Sequence, residues 1–384
     1  MKWFLQSWES NKEGFENYKK NLRYEILKTM ADIRTAIYFG NSVTTGIYGR
    51  FSARTFTCSE EEWARLKKSH FVPIAITIAE KKNFFHWELE FPEVFFGRDI
   101  FGKQRTGFDA VIGNPPWASV RGKHRAQSFD DADVAYLERQ FPDNTYMPNA
   151  FEYFILQSLK LLAKGGYHSY IVPDRLGFNE SLEYLRKVLL NDYTLNFLLY
   201  KVPFPGVIAD TLIYGLKAIK SKKSHTITVT EFGKDPIMIS HNFYINTAYT
   251  AFLFFTNADI FKAIEQIDAA ETIELDKTAE TTGGFGGKSS KITDTRKNDN
   301  QIVMIKGANV KRYAINGCLY FEFIKENITG RTTDVDKLGA IPKVLLRKTG
   351  TVLYAAYENT GIYPEQSLYF LFNFKGQYNP LYIL

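Results

Sequence analysis

The stretch Phe108-Asp109-Ala110-Val111-Ile112-Gly113-Asn114-Pro115-Pro116-Trp117 decides the fold of this chain. Its first half is a short apolar run, which is typical of a buried parallel strand, and the Gly-Asn-Pro-Pro break that follows predicts a loop. Proline lacks a backbone N–H and restricts the residue before it to extended conformations, so the strand has to end here. In open α/β sheets, ligands bind beside the carboxyl ends of the strands. We therefore expect Asn114 to Trp117 at a ligand-binding edge.

Helix and strand patterns alternate after this stretch. Asn149, with Glu152 three positions later, predicts a capped helix that ends at Gly165-Gly166. The runs that follow are predicted as a strand over residues 167–172, a helix over 179–190, and strands over 193–200 and 210–219. Such alternation is typical of a doubly wound α/β sheet.

The amino-terminal region has helical periodicity. Apolar residues over 15–37 recur at steps of three and four, which predicts one long helix that ends at Gly40. Ser59 followed by Glu62 has the pattern of a capping box at the start of a second, shorter helix. Residues 84–91 alternate between apolar and acidic side chains towards their end, so we expect a strand there that turns at the following proline.

Asn114 and its neighbours carry the groups needed to hold a flat ring that bears an amine. The exocyclic amine of adenine is a poor nucleophile, because its lone pair is delocalised into the ring. The side-chain oxygen of Asn114 and the backbone carbonyl of Pro115 can accept both N–H hydrogens and localise that pair. Trp117 can stack on a base rotated out of its duplex. The tetrapeptide also fits a plain turn that ends a strand, because Asn and Pro are common turn residues.

The overall composition is that of an ordinary globular protein, with 384 residues of which 45% are hydrophobic and 23% charged. This excludes a globally disordered chain. Cys58 and Cys318 lie far apart in sequence, so neither a disulfide framework nor a thiolate zinc site is expected. No apolar run approaches the roughly 20 residues that span a bilayer, and the first residues lack the pattern of a signal peptide. We therefore expect a cytoplasmic location.

Short β-type runs dominate the carboxyl-terminal third of the chain. The Gly-rich stretch at residues 281–287 predicts a boundary, after which a mainly β domain follows. The runs lie at residues 302–305, 319–324, 344–347, 352–355 and 368–374. Between residues 281 and 350 there are 13 basic and six acidic residues, a surplus of +7, beside a net charge of +6 for the whole chain. Phosphate contacts by Lys and Arg supply most of the affinity of proteins for DNA. The candidate DNA contacts are Lys288, Lys306, Lys311, Arg312, Arg347 and Lys348.

At these motifs the chain resembles the DNA methyltransferases that form N6-methyladenine, in particular the type IIG restriction-modification group. The resemblance lies in residues 84–95, in Phe108 to Trp117 and in the helix that ends at Gly166. It implies methylation of the adenine N6 amine with S-adenosylmethionine as cofactor, after base flipping. The catalytic residues that it implies are Asn114, Pro115, Pro116 and Trp117.

Phe204-Pro205-Gly206-Val207 resembles the motif that places a second aromatic side chain against the flipped base in this family. The resemblance implies that Trp117 and Phe204 stack on the two faces of the adenine. An aromatic side chain that packs a turn between two prolines is the alternative interpretation of Phe204.

The carboxyl-terminal segment is similar to the target-recognition domain of the same group, in residues 282–287, 305–313, 342–350 and 366–370. This similarity implies double-stranded DNA as the partner. We therefore predict an α/β fold, in which a partial doubly wound methyltransferase-like sheet is preceded by helices and followed by a mainly β target-recognition domain. The predicted divisions are a helical region over residues 1–100, a catalytic region over 101–225, a connecting region over 226–280 and a target-recognition domain, expected to be truncated, over 281–384.

The chain departs from the family because it lacks a Gly-rich cofactor loop after a first strand. Tyr38-Phe39-Gly40-Asn41 is the nearest match before Asn114, but it follows a helical pattern and is interpreted as a helix end. The cofactor-binding residues are therefore unknown, and a sheet without its nucleotide-binding half would expose an edge. We expect a portion of a longer enzyme, a split subunit that needs an amino-terminal partner, or a truncated reading frame. The apolar end at residues 379–384 agrees with this expectation.

Other activities are disfavoured by spacing. Pro173-Asp174 fits the end of a strand better than a nuclease motif of the Pro-Asp…Glu-x-Lys type, so we expect no nuclease activity. His86, His124 and His168 lack ligand spacing, so no metal site is expected. Two alternatives stay open: a non-catalytic DNA-binding specificity fragment, and a related site that methylates RNA bases or a glutamine amide. The long basic β region disfavours the second of these.

Overall fold

The structure, a computed structural model, describes residues 17–384 apart from 18, 56, 99–101, 103, 123–124, 144–147, 207–208, 223, 255–257, 271–272, 351 and 377. The chain divides into two compact units, residues 1–263 and 264–384. The boundary falls in the range over which the sequence predicts a connecting region. The helices are α1 (Leu22–Ala36), α2 (Thr45–Thr55), α3 (Glu60–Leu66), α4 (Phe71–Lys82), α5 (Trp87–Glu90), α6 (Pro92–Phe95), α7 (Asp131–Gln140), α8 (Ala150–Lys160), α9 (Glu183–Asn191), α10 (His241–Asn246), α11 (Ala258–Ala269), α12 (Leu275–Thr278), α13 (Val335–Leu338) and α14 (Pro380–Ile383).

Helices α1 to α4 form a small core of their own. Ile33, Trp63 and Val72 are almost fully buried within it. The predicted amino-terminal helix is present as α1, and a short 3₁₀ turn carries it to Gly40, whose φ of 95° requires a residue without a side chain. The first part of that prediction, including Phe15 and Tyr18, lies outside the described residues. The predicted cap of α3 is also present, because Ser59 Oγ accepts the backbone N–H of Glu62.

The strand expected over residues 84–91 is wrong, because this segment contains the short helix α5 and leads directly into α6. Trp87, Phe91 and Phe95 follow each other at helical steps of four. Their rings all pack edge-on against Phe108, with centroid distances of 5.8, 5.3 and 5.6 Å. Glu90 faces the helical core instead, where it accepts a hydrogen bond from the Tyr24 hydroxyl at 2.9 Å. In this helical segment the aromatic residues therefore pack against Phe108, whereas Glu90 points to the other side, towards the helical core.

A six-stranded mixed sheet forms the centre of the first unit. Its strands are β1 (Phe108–Gly113), β2 (Leu162–Pro173), β3 (Thr194–Tyr200), β4 (Thr211–Lys217), β5 (Thr226–Glu231) and β6 (Ile237–Ser240), in the order β1-β2-β4-β3-β5-β6. Strand β1 runs parallel to β2, and β3 runs parallel to β5. Strand β4 is antiparallel to both of its neighbours, since no helix separates it from β3. Strands β5 and β6 extend the sheet past residue 225, where the sequence predicts a connecting region.

Strand β1 lies at one edge of this sheet. It pairs with β2, as the sequence predicts for a parallel strand, but it is not buried: Ile112 is 81% exposed. Among the described residues, no strand pairs with its other side. The apolar run therefore predicts the strand correctly and its burial wrongly. The sequence predicts an exposed edge, and β1 is one among the described strands, whereas the absence of a nucleotide-binding half stays a prediction.

The second unit is mainly β. Its strands are β7 (Glu280–Gly283), β8 (Phe285–Gly287), β9 (Ile292–Thr293), β10 (Gln301–Ile305), β11 (Val310–Lys311), β12 (Ala314–Ile315), β13 (Leu319–Glu322), β14 (Ile328–Arg331), β15 (Lys343–Arg347), β16 (Ala355–Glu358), β17 (Tyr363–Pro364) and β18 (Leu368–Phe372). Two four-stranded sheets, in the orders β16-β15-β18-β7 and β17-β10-β13-β9, supply most of its core. The run predicted at residues 352–355 is displaced, because strand β16 begins only at Ala355.

The Gly-rich stretch at residues 281–287 is not a boundary between elements. It supplies strands β7 and β8, and Phe285 within it is fully buried. Glycine is required because other backbones approach closely: a side chain on Gly284 would collide with the carbonyl oxygens of Pro364 and Glu365. Close backbone packing, rather than a flexible linker, accounts for the composition of this stretch.

The described residues contain neither a membrane-spanning helix nor a cluster of metal-binding side chains. No described helix is both long enough and apolar enough to cross a membrane. Within the same part of the chain, His, Cys, Asp and Glu side chains form no group of three or more that could hold a metal ion. His86 instead pairs with Asp32, and His168 with Ser158, each at 2.8 Å. His124 lies outside the described residues.

Gly284→Ala tests the close packing of the Gly-rich stretch. We expect it to destabilise the second unit by about 3 kcal/mol, the upper range for overpacking. Faster hydrogen–deuterium exchange of peptides covering residues 280–290 would show this, because the Gly284 N–H donates to the Leu368 carbonyl. Gly49→Ala is the control: no atom lies within 4 Å of the added carbon in helix α2, so it should stabilise that helix by about 0.5–1 kcal/mol. Unchanged exchange in the Gly284 variant would contradict this account.

Candidate active site

The carboxyl ends of four strands meet at one edge of the six-stranded sheet. Gly113, at the end of β1, pairs with Tyr170 near the end of β2, and Tyr200 at the end of β3 pairs with Leu212 at the start of β4. Strand β5 ends beside Tyr200 as well. The Asn-Pro-Pro-Trp segment therefore begins at the strand edge where the sequence predicts a ligand, and the loop that carries Phe204 begins at the same edge.

The backbone around Asn114 is held by both of its flanks. Gly113 lies against the ring of Tyr170, since a Cβ at this position would be 3.1 Å from Tyr170 Cε1. After the tetrapeptide, the Ala118 carbonyl accepts the Ala150 N–H at 2.8 Å, and the Val120 N–H donates to Pro148 at 3.1 Å. These bonds tie the segment to the start of helix α8.

The four residues of the segment differ in exposure. Pro115 is buried and Trp117 is half-buried, whereas Asn114 and Pro116 are exposed. No hydrogen bond joins the Asn114 side chain to another described residue. The buried proline thus fixes the turn, and the amide group of Asn114 is open to a ligand.

The capping box at the start of α8 has the form that the sequence predicts. Asn149 accepts the Phe151 N–H, and the Glu152 carboxylate accepts the Asn149 N–H at 3.0 Å. Glu152 is buried and also lies 3.5 Å from Arg175 Nη2, which follows strand β2. The start of helix α8, to which the tetrapeptide segment is bonded, is therefore held by the buried carboxylate of Glu152.

Trp117 and Phe204 are neighbours although they lie far apart in sequence. Their ring centroids are 6.4 Å apart and their planes are inclined by 34°. Carbon atoms in contact lie roughly 3.5 Å apart, so a flat ring between two others needs about 7 Å. The two rings are therefore close to the spacing at which both faces of a base would be covered.

The loop that carries Phe204 is fixed where it leaves the sheet. The Lys201 N–H donates to the Thr211 carbonyl at 2.7 Å, and Thr211 Oγ1 donates to the Val202 carbonyl at 2.8 Å. Val207, the last residue of the predicted motif, lies outside the described residues. Phe204 itself is half-buried, as is Trp117, so both rings keep one accessible surface.

Two acidic residues lie where β2 ends and β4 begins. Strand β2 ends at Pro173, as predicted, and the Asp174 N–H donates to the Asp210 carbonyl at 3.0 Å. Burial and the nearby negative charge of Asp210 raise the pKa of the Asp174 carboxyl. The sequence analysis did not single out this pair as part of the edge. The position of each acid directly beside a strand is the signal that could have indicated it.

The residues before β1 do not fit S-adenosylmethionine. Throughout the described part of this region the elements are helices, and no strand is followed by a Gly-rich loop. Tyr38 to Asn41 is a helix end, as predicted, and Asn41 is buried, with its side-chain amide donating to the Phe71 carbonyl at 3.2 Å. The cofactor-binding residues therefore remain unassigned among the described residues.

The second unit brings three of the six candidate DNA contacts together. Arg347 and Lys348 follow each other at the end of β15, and Arg347 Cγ would lie 3.3 Å from a Cβ on Gly307, next to Lys306. The Lys348 N–H donates to the Ser367 carbonyl, and Ser367 Oγ accepts the Gly307 N–H at 2.8 Å. The backbone segments at Gly307, next to Lys306, and at Lys348, next to Arg347, thus meet at Ser367.

The other three candidates are exposed and more dispersed. Lys311 and Arg312 lie in the β11–β12 hairpin, which joins the same surface through the Tyr313 N–H and the Ala355 carbonyl. Lys288 follows strand β8, and the described residues provide no ion pair or ring contact for it. The structure therefore groups some of the predicted basic residues and leaves Lys288 apart.

Comparison with known proteins gives separate matches for the two ends of the chain. Residues 11–201 match the Eco57I restriction-modification methylase family, and residues 302–384 match the TaqI-like C-terminal specificity domain. The chain is therefore similar to restriction-modification methylases over its first half and to TaqI-like specificity domains at its carboxyl-terminal end. A Methanocaldococcus jannaschii protein, named a type II restriction enzyme and methyltransferase, is 26% identical over 317 residues, which are 78% of this chain and 25% of that protein.

Two solved structures are similar in outline. The type IIL restriction-modification enzyme MmeI in complex with DNA has a TM-score of 0.47 at 11% identity, and the match covers 71% of this chain and 41% of that one. The DrdV–DNA complex has a TM-score of 0.42 at 9% identity, covering 68% and 36%. This chain spans a quarter of the length of the curated relative and less than half of either structure.

Proposed function

We propose that this chain supplies the target-base pocket and the DNA-reading region of an adenine-specific DNA N6-methyltransferase in a type IIG-like restriction-modification system. The observation that carries the proposal is the Trp117–Phe204 pair, 6.4 Å apart, at the same strand edge as the exposed amide of Asn114. The methylase and specificity matches support the class of reaction and the DNA partner. Adenine as the base and N6 as its methylated atom rest on the resemblance at Asn114 to Trp117.

The pocket acts on the base by holding and polarising it. Trp117 and Phe204 cover the two faces of a base that has left its duplex, which replaces the stacking lost on flipping. The Asn114 side-chain oxygen and the Pro115 carbonyl accept the two N–H hydrogens of the amine, so its lone pair points away from the ring. Pro116 keeps both acceptors in fixed positions. S-adenosylmethionine, for which the described residues provide no binding loop, would supply the methyl group.

The missing cofactor loop leads to a second part of the proposal. We infer that a cofactor-binding part, carried by a longer form of the chain or by a partner, pairs its outermost strand with the free edge of β1. Beside β1, a cavity of about 630 Å³ is lined by apolar side chains from β1, α7 and α8. Ile112 and Phe154 at its margin are 81% and 49% exposed. An unpaired parallel strand next to an apolar cavity is the surface that a further strand and its helix would cover.

A non-catalytic specificity fragment is the second candidate function. The absence of a cofactor loop before β1 in the described residues favours it. It predicts DNA binding that depends on salt, without methyl transfer under any condition.

The central test is methyl transfer. Labelled S-adenosylmethionine and unmethylated genomic DNA are incubated with this chain alone, and with this chain plus the polypeptide encoded directly upstream, and the DNA is digested to nucleosides. We expect N6-methyladenine only in the mixture. N4-methylcytosine as the product would overturn the adenine assignment. No product in either case, with DNA still bound, would favour the specificity fragment.

Asn114→Ala should reduce methyl transfer in that mixture by at least about 100-fold, because one of two acceptors for the amine is lost. Its effect on DNA affinity should be less than about two-fold, since Asn114 is exposed and its side chain forms no hydrogen bond with another described residue. Phe204→Leu, which keeps an apolar side chain but removes the ring, should reduce transfer by about ten-fold, in line with roughly 1–3 kcal/mol for one stacking contact. Unchanged turnover in the Asn114 variant would remove this residue from the mechanism.

Ile112→Asp tests the partner surface. A charge at the exposed position on β1 should abolish association with the upstream polypeptide in analytical ultracentrifugation, because apolar burial at that edge would be lost. Met238→Asp is the matched control, since Met238 is 55% exposed on β6 at the opposite edge of the same sheet. Equal loss of association in both variants, or in neither, would contradict docking on β1.

A further inference from the structure

The ammonium group of Lys348 lies close to Gly283 of strand β7 in the second unit. Its Nζ would be 2.9 Å from a Cβ on Gly283, so the ammonium lies directly against this glycine. The same Nζ lies 4.2 Å from the centre of the Tyr369 ring, which is the geometry of a cation–π contact. The Lys348 backbone is fixed by the bond from its N–H to the Ser367 carbonyl. This lysine is therefore held in place, unlike an ordinary surface lysine.

Arg331 is a second cation close to Lys348. It ends strand β14, where it pairs with Phe285 of β8, two positions after Gly283. The next residue, Thr332, forms a hydroxyl–hydroxyl hydrogen bond of 2.9 Å with Thr282 of β7. Two separate contacts thus place the Arg331 backbone beside the strand on which the Lys348 ammonium lies.

The backbone of Arg331 has an unusual conformation. Its φ is +68°, in the left-handed region that few residues with side chains adopt. Gly330, directly before it, has a φ of +136°. Conformations of this kind cost free energy and are concentrated at functional positions. The backbone conformation at this position favours glycine or asparagine, yet the chain has an exposed arginine there.

The two cations have no carboxylate partner. Among the described residues, no Asp or Glu oxygen lies within 4 Å of either charged group, although the chain forms such pairs elsewhere. Glu365 is the acidic residue that interacts electrostatically with Lys348. It forms no ion pair with the lysine, because it is buried and its Oε2 accepts both the N–H and the hydroxyl of Ser367. Burial, together with the positive charge of Arg331, lowers the pKa of Lys348. Bringing two like charges together without an anion is unfavourable, so the site is incomplete as it stands.

The geometry points to a phosphate-binding clamp in which Arg331 and Lys348, above Gly283, hold one phosphate group of the DNA backbone. This inference rests on the proposed DNA-binding function and adds Arg331, which the sequence analysis did not select. The guanidinium offers a planar pair of donors for phosphate oxygens, and the lysine adds a point charge from the other side. Such a contact positions the second unit on the duplex without reading sequence.

The test compares variants that remove one charge with little change in shape. Lys348→Met keeps the stem on Tyr369, and Arg331→Asn keeps a residue that tolerates the left-handed backbone. Lys337→Met is the matched control, because Lys337 Nζ also lies over an aromatic ring, that of Phe372 at 5.8 Å. Binding of the full chain to a random-sequence duplex is followed by fluorescence anisotropy at a series of KCl concentrations.

If both cations hold one phosphate, each single variant should lower the slope of log K against log salt concentration by up to about 0.9, and the double variant should lower it by no more than about 0.9. The control should leave the slope unchanged. Unchanged slopes in both single variants would overturn the clamp, and a loss of about 1.8 in the double variant would show two separate phosphates. Absence of salt-dependent binding by the unmodified chain would instead refute the proposed DNA-binding function.

A measurement on Lys348 alone gives an independent readout. We expect the pKa of its ammonium, followed by NMR of a labelled side chain, to lie below that of an ordinary lysine in the free chain. It should rise when the duplex is added, because a phosphate stabilises the charged form. A pKa that does not move on DNA binding would contradict direct contact between Lys348 and a phosphate.

Discussion

The parallel pairing of β1 with β2 is the interaction on which the candidate site depends. It fixes Gly113 opposite Tyr170, and so it sets where the chain leaves the sheet and where Asn114 and Trp117 lie. The antiparallel pairing of β3 with β4 places the Phe204 loop at the same edge. A shift of β1 by one residue would reverse the faces of its side chains and separate Trp117 from Phe204. The site is therefore a consequence of strand register more than of any single side chain.

Much of the fold could be predicted from the sequence, and the errors have physical reasons. Strands and the start of helix α8 are predictable because their signals are local: a short apolar run, or Asn149 with Glu152 three residues later. The predicted end of this helix at Gly165-Gly166 is wrong, because α8 ends at Lys160 and both glycines lie in β2. Residues 84–91 were assigned to the wrong class, because alternating aromatic and acidic residues also fit helical steps of four, and only the position of Phe108 decides between them. The Gly-rich stretch was interpreted as a boundary, since a close approach by the backbone of Pro364 cannot be deduced from neighbours in sequence.

The candidate site was predictable to different extents. Two prolines after an apolar run are enough to place Asn114 at a strand end. The proximity of Trp117 and Phe204 depends on the strand order of the sheet, so the residues alone gave no means to infer it, and a family resemblance had to supply it. Arg331 was missed for a similar reason. Its partners, Phe285 and the strand below Lys348, are remote in sequence, and the only local signal is the glycine before it.

The contacts around Glu365 have a consequence for how this surface can change during evolution. The Glu365 carboxylate accepts hydrogen bonds from the backbone N–H and the hydroxyl of Ser367. The Ser367 hydroxyl oxygen accepts the backbone N–H of Gly307, and the Ser367 carbonyl accepts that of Lys348. The side chains of Lys306, Arg347 and Gln366 take no part in these bonds. Substitution at those positions would alter the chemistry presented to a partner while the loops keep their shape. The buried Glu365 carboxylate thus fixes the backbone of these loops, so that the exposed side chains can change while the loop conformations are kept.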